Sequence, residues 1–270
     1  PLGFGNGGAC FNFLKKCMED NPKLDELYHL LKLDVVGSTN EEAARLGREG
    51  APAGTLVWAK SQTGGKGRRG RDWVSPGGNL YASLLLRPNI LLAQAPEISF
   101  VAAVAVFNTL CFILPQTARI HMKWPNDIIV EGHKIAGILL ESSAQGEMLD
   151  WLVVGIGINI ASSPDKTPFP ATSLHESGAP HAKTADVLGR FADSFKRVME
   201  TWTNEGFAPI RKRWLEFAWC LGEEIEVKTE QETLRGVFCD IDPSGALILD
   251  LGGGDKRIIT AANVIRGFPT

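Results

Sequence analysis

The chain has 270 residues, 44% hydrophobic and 22% charged, with a formal net charge of −3. That length and balance allow one sizeable core plus a small extra domain, and the slight acidity excludes a general nucleic-acid coat, which would be basic throughout. Five cysteines (Cys10, Cys17, Cys111, Cys220, Cys239) form no C-x-x-C pair and no ligand-like spacing, so a disulfide framework and a zinc site are set aside and a reducing, cytoplasmic setting is expected.

No secretory signal is readable, and Pro1 is not an initiator methionine, so the glycine-rich opening from Pro1 to Gly8 reads as a trimmed end. Residues 1–32 are expected as a partly disordered N-terminal segment. Within it Phe11, Leu14, Met18, Leu24, Leu27 and Leu31 lie on helical spacing and predict a helix over 11–31. Leu33-Asp34-Val35-Val36 predicts a short strand that runs into Gly37-Ser38-Thr39-Asn40-Glu41-Glu42. Ser38 with Glu41 three residues on is a capping-box pattern, so a helix starts there. Such a junction presents N–H groups and side-chain oxygens at a cavity edge, although a plain helix cap alone also accounts for Ser38.

Thr55 to Lys60 predicts a strand feeding a basic loop, and Leu80 to Arg87 a strand leaving it. From Lys60 to Arg71 the loop holds five cations (Lys60, Lys66, Arg68, Arg69, Arg71), four glycines and no acid. Guanidinium forks and backbone N–H groups on a reshapable loop suit a phosphate or carboxylate; a solvated basic loop is the plain alternative. Its length exceeds an ordinary connection and fits a lid or binding loop. Ala95 to Leu114 reads as a buried helix, because its apolar run, interrupted by Ser99, Asn108 and Thr109, falls short of the ~20 residues of a membrane span.

Ile120 to Lys123 and Asp127 to Val130 predict two strands about a turn or bulge at Pro125, then a hairpin over Glu131 to Lys134 into Ile135 to Glu141. Met148 to Ile160 follows as a long strand in which Gly155 and Gly157 share one face. Glycine inside a strand often marks close approach by a ligand. Lys123 and Lys134 sit among apolar neighbours, and a lysine facing a pocket has an anionic partner. Lys183 to Asn204 predicts an amphipathic helix and Phe207 to Cys220 a shorter one. Beyond Leu221 short alternating strands with turns at Asp242-Pro243-Ser244-Gly245 and Gly252-Gly253-Gly254 predict a small β-rich domain.

Five blocks in this order resemble the biotin–protein ligase family over about residues 33–267: Gly37-Ser38-Thr39-Asn40; Gly65-Lys66-Gly67-Arg68-Arg69-Gly70 with Trp73; Lys123-Trp124-Pro125-Asn126-Asp127; Lys134-Ile135-Ala136-Gly137-Ile138-Leu139; and Gly155-Ile156-Gly157-Ile158-Asn159. The resemblance implies an α+β fold: a mixed β-sheet catalytic core with helices on one side, of the class II aminoacyl-tRNA synthetase-like type, over 33–220. A small SH3-like β-barrel is implied over 221–270. It implies activation of biotin by ATP to biotinyl-5′-AMP, then transfer to a lysine of a biotin carboxyl carrier protein domain, in a monomer or homodimer that uses neither DNA nor membrane.

By the same resemblance Lys134, Arg68 and Lys66 are the catalytic candidates, with Lys134 bridging the biotin carboxylate and the α-phosphate. Ser38, Thr39, Asn40, Gln62, Gly67, Gly137, Gly155 and Gly157 complete the biotin site. Arg69, Arg71, Trp73, Lys123, Asn126, Asp127 and Asn159 lie toward the nucleotide, and Mg²⁺ accompanies ATP with Asp127 as a helper. Two departures stand out. Lys66 replaces the first arginine of the family's loop, which keeps charge but loses the planar fork, and Ala171 stands near a place where some relatives stack a tryptophan on the base. A lipoate–protein ligase shares this adenylation logic and is the nearest rival. The repressor form with a DNA reader needs more than the thirty or so residues before Leu33, and an RNA-binding module lacks aromatics interleaved with the cations.

Overall fold

The computed structural model describes residues 21–165, 167, 169–260 and 262–266. A seven-stranded sheet is built from β1 (His29–Val36), β2 (Thr55–Gln62), β3 (Leu80–Leu86), β4 (Ile120–Lys123), β5 (Asp127–Val130), β6 (His133–Gln145) and β7 (Met148–Ile158). Its order is β1-β2-β3-β7-β6-β5-β4. Only β1 and β2 run parallel, joined through α1 (Thr39–Arg48); the remaining neighbours are antiparallel.

Side chains alternate across this sheet with a period of two. Leu56, Trp58, Leu84, Leu152 and Val154 enter the main core beneath α2 (Ala95–Ile113) and α3 (Thr184–Glu205). Val57, Leu85, Trp151 and Val153 face the other way and meet Ala43 and Ala44 of α1. The helices therefore flank both faces rather than one. The reason is local: α1 starts directly after the edge strand β1 and must recross the sheet to reach β2. Helix α2 is long and apolar enough to cross a membrane, yet it is mostly buried inside the protein. Ile98 and Leu110 are wholly inside, and each such side chain contributes about 1.5–3 kcal/mol of burial.

Residues 21–28 are not helical and His29 to Leu31 already belong to β1, so the helix expected over 11–31 fails over its described part. Residues 11–20 lie outside the described residues. Pairing with Thr55, Leu56 and Val57 of β2 outweighs the helical spacing of Leu24, Leu27 and Leu31.

After α4 (Phe207–Glu216) come β8 (Glu224–Lys228), β9 (Thr233–Ile241), β10 (Leu247–Asp250), β11 (Lys256–Ile259) and β12 (Asn263–Arg266). They form a separate antiparallel sheet of order β11-β10-β9-β8-β12. Its inner face continues the main core: Phe238, Ile241, Leu247 and Leu249 pack in the same cluster as Trp214 and Phe100. Trp124 Nε1 donates to Gly245 O at 3.0 Å, and Arg211 Nη2 lies 2.6 Å from Asp240 Oδ2. These ties seat the second sheet beside the site.

Candidate active site

A cavity of about 450 Å³ opens between the end of β1, the loop 63–75, the facing strands β6 and β7, and the second sheet. Each site residue named from the sequence lines it, together with Val74, Pro164, Phe169 and Lys228.

The neutral end is assembled at the start of α1, where Ser38, Thr39 and Asn40 are buried. Ser38 Oγ accepts from Glu41 N at 3.5 Å, so it caps the helix. The reciprocal half of the capping box is absent, because the Glu41 carboxylate pairs with Lys66 instead. Gln62 Oε1 accepts from Thr39 N at 2.8 Å and from Thr39 Oγ1 at 3.1 Å, while Gln62 Nε2 donates to Ser75 Oγ at 3.0 Å. Ser75 Oγ in turn donates to Trp73 O at 2.7 Å.

Asn40 behaves differently from a ligand reader. Its Nδ2 donates to Glu141 Oε2 at 2.8 Å and Leu139 O at 3.3 Å, and its Oδ1 accepts from Ser83 Oγ at 2.6 Å. Its amide is spent within the protein, so Asn40 positions its neighbours.

Ser83, wholly buried on β3, also lies 2.8 Å from Thr39 Oγ1. Three oxygen–oxygen contacts, Gln62–Thr39, Thr39–Ser83 and Ser83–Asn40, are thus served by two hydroxyl hydrogens. The row is one hydrogen short, so its oxygens keep spare lone pairs, and Thr39, which lines the cavity, is placed to accept from an N–H donor there.

The glycine floor is approached closely, but by the chain itself. A Cβ on Gly157 would stand 2.5 Å from the Trp73 ring and one on Gly137 3.1 Å from it, while Gly155 makes room for Asn40. Trp73 Nε1 is buried without a partner. Trp73 therefore belongs to the floor of the β6–β7 slot as much as to the nucleotide end.

The basic loop is a small hairpin. Trp73 N donates to Gly65 O at 2.9 Å, Gly67 N to Arg71 O at 2.7 Å, and a 3-10 turn spans Arg68–Gly70. Lys66 Nζ is held on the exposed Glu41 carboxylate, which raises its pKa, so the ammonium expected over the phosphate points to the α1 N-terminus here. Arg68 is half-buried, and burial, with Arg69 close by, pushes its guanidinium below the usual range. An anion would relieve both effects.

Lys134 Nζ is 2.6 Å from Asp127 Oδ1 and 5.1 Å from the Trp73 ring centre. Both side chains are largely covered, so Asp127 serves as the counter-ion that holds Lys134 in place. Among the described residues no cluster of three or more His, Cys, Asp or Glu could hold a metal. With Asp127 paired to Lys134 and Asp72 the other carboxylate on the cavity wall, Mg²⁺ arriving with a nucleotide would be held mostly by phosphate oxygens and water.

Lys123 is only 7% exposed, sits 3.8 Å from the Phe169 ring centre and 5.3 Å from that of Trp219, and is pushed down to about 8 by burial. Asn126 Nδ2 donates to Ile138 O at 2.5 Å and Asn159 Nδ2 to Thr172 O at 3.0 Å, which fixes both amides on the wall. Ala171 pairs with Lys134 as an isolated bridge, and the aromatic ring of this loop comes from Phe169, two residues earlier.

A neutral pocket with spare acceptors, joined to fixed cations beneath a cationic hairpin, suits a ligand with a polar uncharged head and an anionic end. The family profile described as Biotin/lipoate A/B protein ligase family matches residues 33–159, and that of the Biotin protein ligase C terminal domain matches residues 220–267. A biotin--[acetyl-CoA-carboxylase] ligase of Paracoccus denitrificans is 42% identical over 238 residues, covering 85% of this chain and 97% of that protein. The bifunctional ligase/repressor BirA of Bacillus subtilis is 36% identical over 240 residues, covering 86% and 73%. A biotin protein ligase from Aquifex aeolicus, solved with biotin and ATP, superposes with a TM-score of 0.75 at 28% identity, covering 88% of this chain and 99% of its own. The chain belongs to the biotin protein ligase family.

Proposed function

We propose that this protein activates biotin with ATP as biotinyl-5′-adenylate and transfers the biotinyl group to a lysine of a biotin carboxyl carrier domain. The observation that carries the choice of acid is the hydrogen-deficient row Gln62–Thr39–Ser83–Asn40. The ureido ring of biotin brings two N–H donors, whereas the dithiolane of lipoate brings none, so the row favours biotin.

In the first step a biotin carboxylate oxygen attacks the α-phosphorus, the bond to the β-phosphate breaks, and pyrophosphate leaves. Two like unit charges 4 Å apart repel by about 4 kcal/mol at an effective dielectric of 20. Lys134, held by Asp127 at 2.6 Å, offsets this repulsion by contacting both anions. The 65–73 hairpin brings Arg68 over the phosphate and screens the mixed anhydride from water.

In the second step the carrier amine forms a C–N bond at the acyl carbon, the C–O bond to phosphate breaks, AMP leaves, and the amine's proton goes to solvent. No enzyme nucleophile is needed. Asn126, Asn159 and the Phe169 ring line the nucleotide end. We place the protein in the cytoplasm, in keeping with five cysteines whose spacing offers no disulfide framework.

Pyrophosphate exchange into ATP, run with biotin, lipoate and no acid side by side, tests this reading. Exchange is expected with biotin alone; equal exchange with lipoate would return the assignment to the broader biotin/lipoate group.

A further inference from the structure

One carboxylate behind the neutral pocket has no part in the mechanism above. Glu141 is half-buried on β6, and its Oε2 accepts from Asn40 Nδ2 at 2.8 Å. It faces an amide and not a cation: the ammonium of Lys66, although it feels the Glu141 charge, is bonded to Glu41. Glu141 stands opposite Val153 of β7, on the side of the sheet that α1 covers. Asn40 is thus bonded to Glu141 on one side and to Ser83 on the other.

The direction of the hydroxyl hydrogens along the row is decided at its two ends. At one end Ser75 Oγ gives its hydrogen to Trp73 O and accepts from Gln62 Nε2, which turns Gln62 Oε1 toward Thr39. At the other end Asn40 Nδ2 meets Glu141 and Leu139 O, two groups that can only accept, which turns Asn40 Oδ1 toward Ser83. Both ends therefore face inward as acceptors. Of the two contacts that fix Asn40, the one to Leu139 O is long, at 3.3 Å, and the carboxylate is the stronger acceptor. Were the Asn40 amide turned over, its Nδ2 would donate to Ser83 and free the Ser83 hydrogen for Thr39. The shortage of one hydrogen would then vanish.

We propose that Glu141 is the positioning residue that fixes the Asn40 amide and so makes the pocket select a ligand bearing an N–H donor. This rests on the ureido reading above and adds the residue that sets the preference. Glu141 needs no contact with the ligand. Its carboxylate holds one amide in one orientation, and Ser83 passes that orientation on to Thr39, which lines the cavity.

The test uses the full chain and two cyclic carbamate analogues of biotin, in each of which one ureido N–H is replaced by an oxygen of nearly the same size. ATP–pyrophosphate exchange gives kcat/KM for each acid. The ratio of biotin to carbamate is taken within one protein, so any inactive fraction of a variant cancels. Wild type is expected to prefer biotin to at least one carbamate by about 10²-fold, because the new oxygen would meet an acceptor. Glu141→Gln, whose amide can donate to Asn40 Oδ1 and let Asn40 turn, should lower that ratio about tenfold. Glu141→Asp cannot donate and should keep the wild-type ratio whatever its KM for biotin. An unchanged ratio in Glu141→Gln overturns the proposal and leaves Glu141 a structural partner of α1, as does an equal fall in Glu141→Asp. A change confined to the KM for ATP also overturns it and assigns the carboxylate to Lys66. A wild-type protein that takes both carbamates as readily as biotin sinks the ureido reading itself, a result visible before any variant is made.

Discussion

The two ends of the cavity are built on opposite plans. Around Thr39 the polar side chains are buried (Ser38, Thr39, Asn40, Ser83) or half-buried (Gln62, Glu141) and held at fixed distance by one another. On the 65–73 hairpin the cations are more exposed, and the pair made by Lys66 lies in solvent. A neutral ligand head gains only when partners stand ready, because each hydrogen bond to it is worth about 1 kcal/mol net and misplacement forfeits it. A charged group can be gathered by mobile cations over longer range. Pre-organisation is thus spent on the acid's neutral head, and adaptability on its phosphate.

Lys134 belongs to neither plan, being a cation that is both covered and anchored. Lys134→Ala should break the contrast most severely, lowering biotin-dependent pyrophosphate exchange by roughly 10²- to 10³-fold or more while the circular dichroism spectrum stays unchanged. Exchange at the normal rate would remove its bridging role and leave the hairpin as the sole electrostatic device.

Lys123 is the other buried cation, and it is held by aromatic faces instead of a carboxylate. Asp127 pulls its pKa up, while burial foremost, then Lys134 and Arg71, push it down to about 8 from 10.5. Below pH 8 the lysine is charged in both folded and unfolded chains, and its burial penalty is fully present. Between pH 8 and 10.5 the unfolded chain still binds the proton that the folded chain has released, so stability rises with pH across that window. Lys123→Met should remove this slope and stabilise the protein at pH 7 by on the order of 3 kcal/mol. Urea titrations from pH 7 to 10 measure it; a parallel pH dependence in both proteins would mean the ammonium is not buried.

At the neutral end the expected effect is smaller and more selective. Ser83→Ala removes one hydroxyl hydrogen from a row already short of one and leaves Asn40 Oδ1 without its donor. The KM for biotin should rise about tenfold, the cost of an unsatisfied buried acceptor, with the KM for ATP unmoved. A matched rise in both constants would show that Ser83 supports the sheet and not the ureido pocket.

Ser83 also illustrates what a linear reading of this chain misses. Ser38, Lys134 and the hairpin cations were legible because each sits in a stretch whose charge, glycines or capping pattern stands out, whereas Gln62 entered only through the family resemblance. Ser83, Glu141, Phe169 and Lys228 sit in ordinary strand or loop contexts and acquire meaning only when β3, β6, the 160–172 segment and the second sheet converge. The strand succession from Thr55 to Ile158 followed from alternation and turn residues to within a residue or two, except that β6 runs on to Gln145, four residues past its expected end. The N-terminal helix failed because a leucine spacing compatible with a helix lost to pairing with β2. The position of α1 on the far face was not readable, since which side a short crossover takes depends on where the edge strand lies. Asn40 was legible as a site residue but not as a positioning one, because its partners are 43 and 101 residues away.

The smallest expected effect lies where the chain departs from its family, at Lys66. Its ammonium is drawn to Glu41, an exposed pair that solvent screens to little net worth. That contact is weak enough for a phosphate to displace, so a lysine here costs little in the first step. What the ammonium lacks is the two-pronged grip that keeps a closed hairpin on a phosphate between the two steps. Lys66→Arg should therefore leave pyrophosphate exchange near wild type and slow the loss of biotinyl-5′-adenylate from the enzyme by about two- to fivefold. Adenylate retention in a rapid-filtration assay reads this directly. Unchanged or faster loss would mean that Arg68, pressed by burial and by Arg69, already supplies the whole grip, and that the hairpin needs only one guanidinium to stay shut.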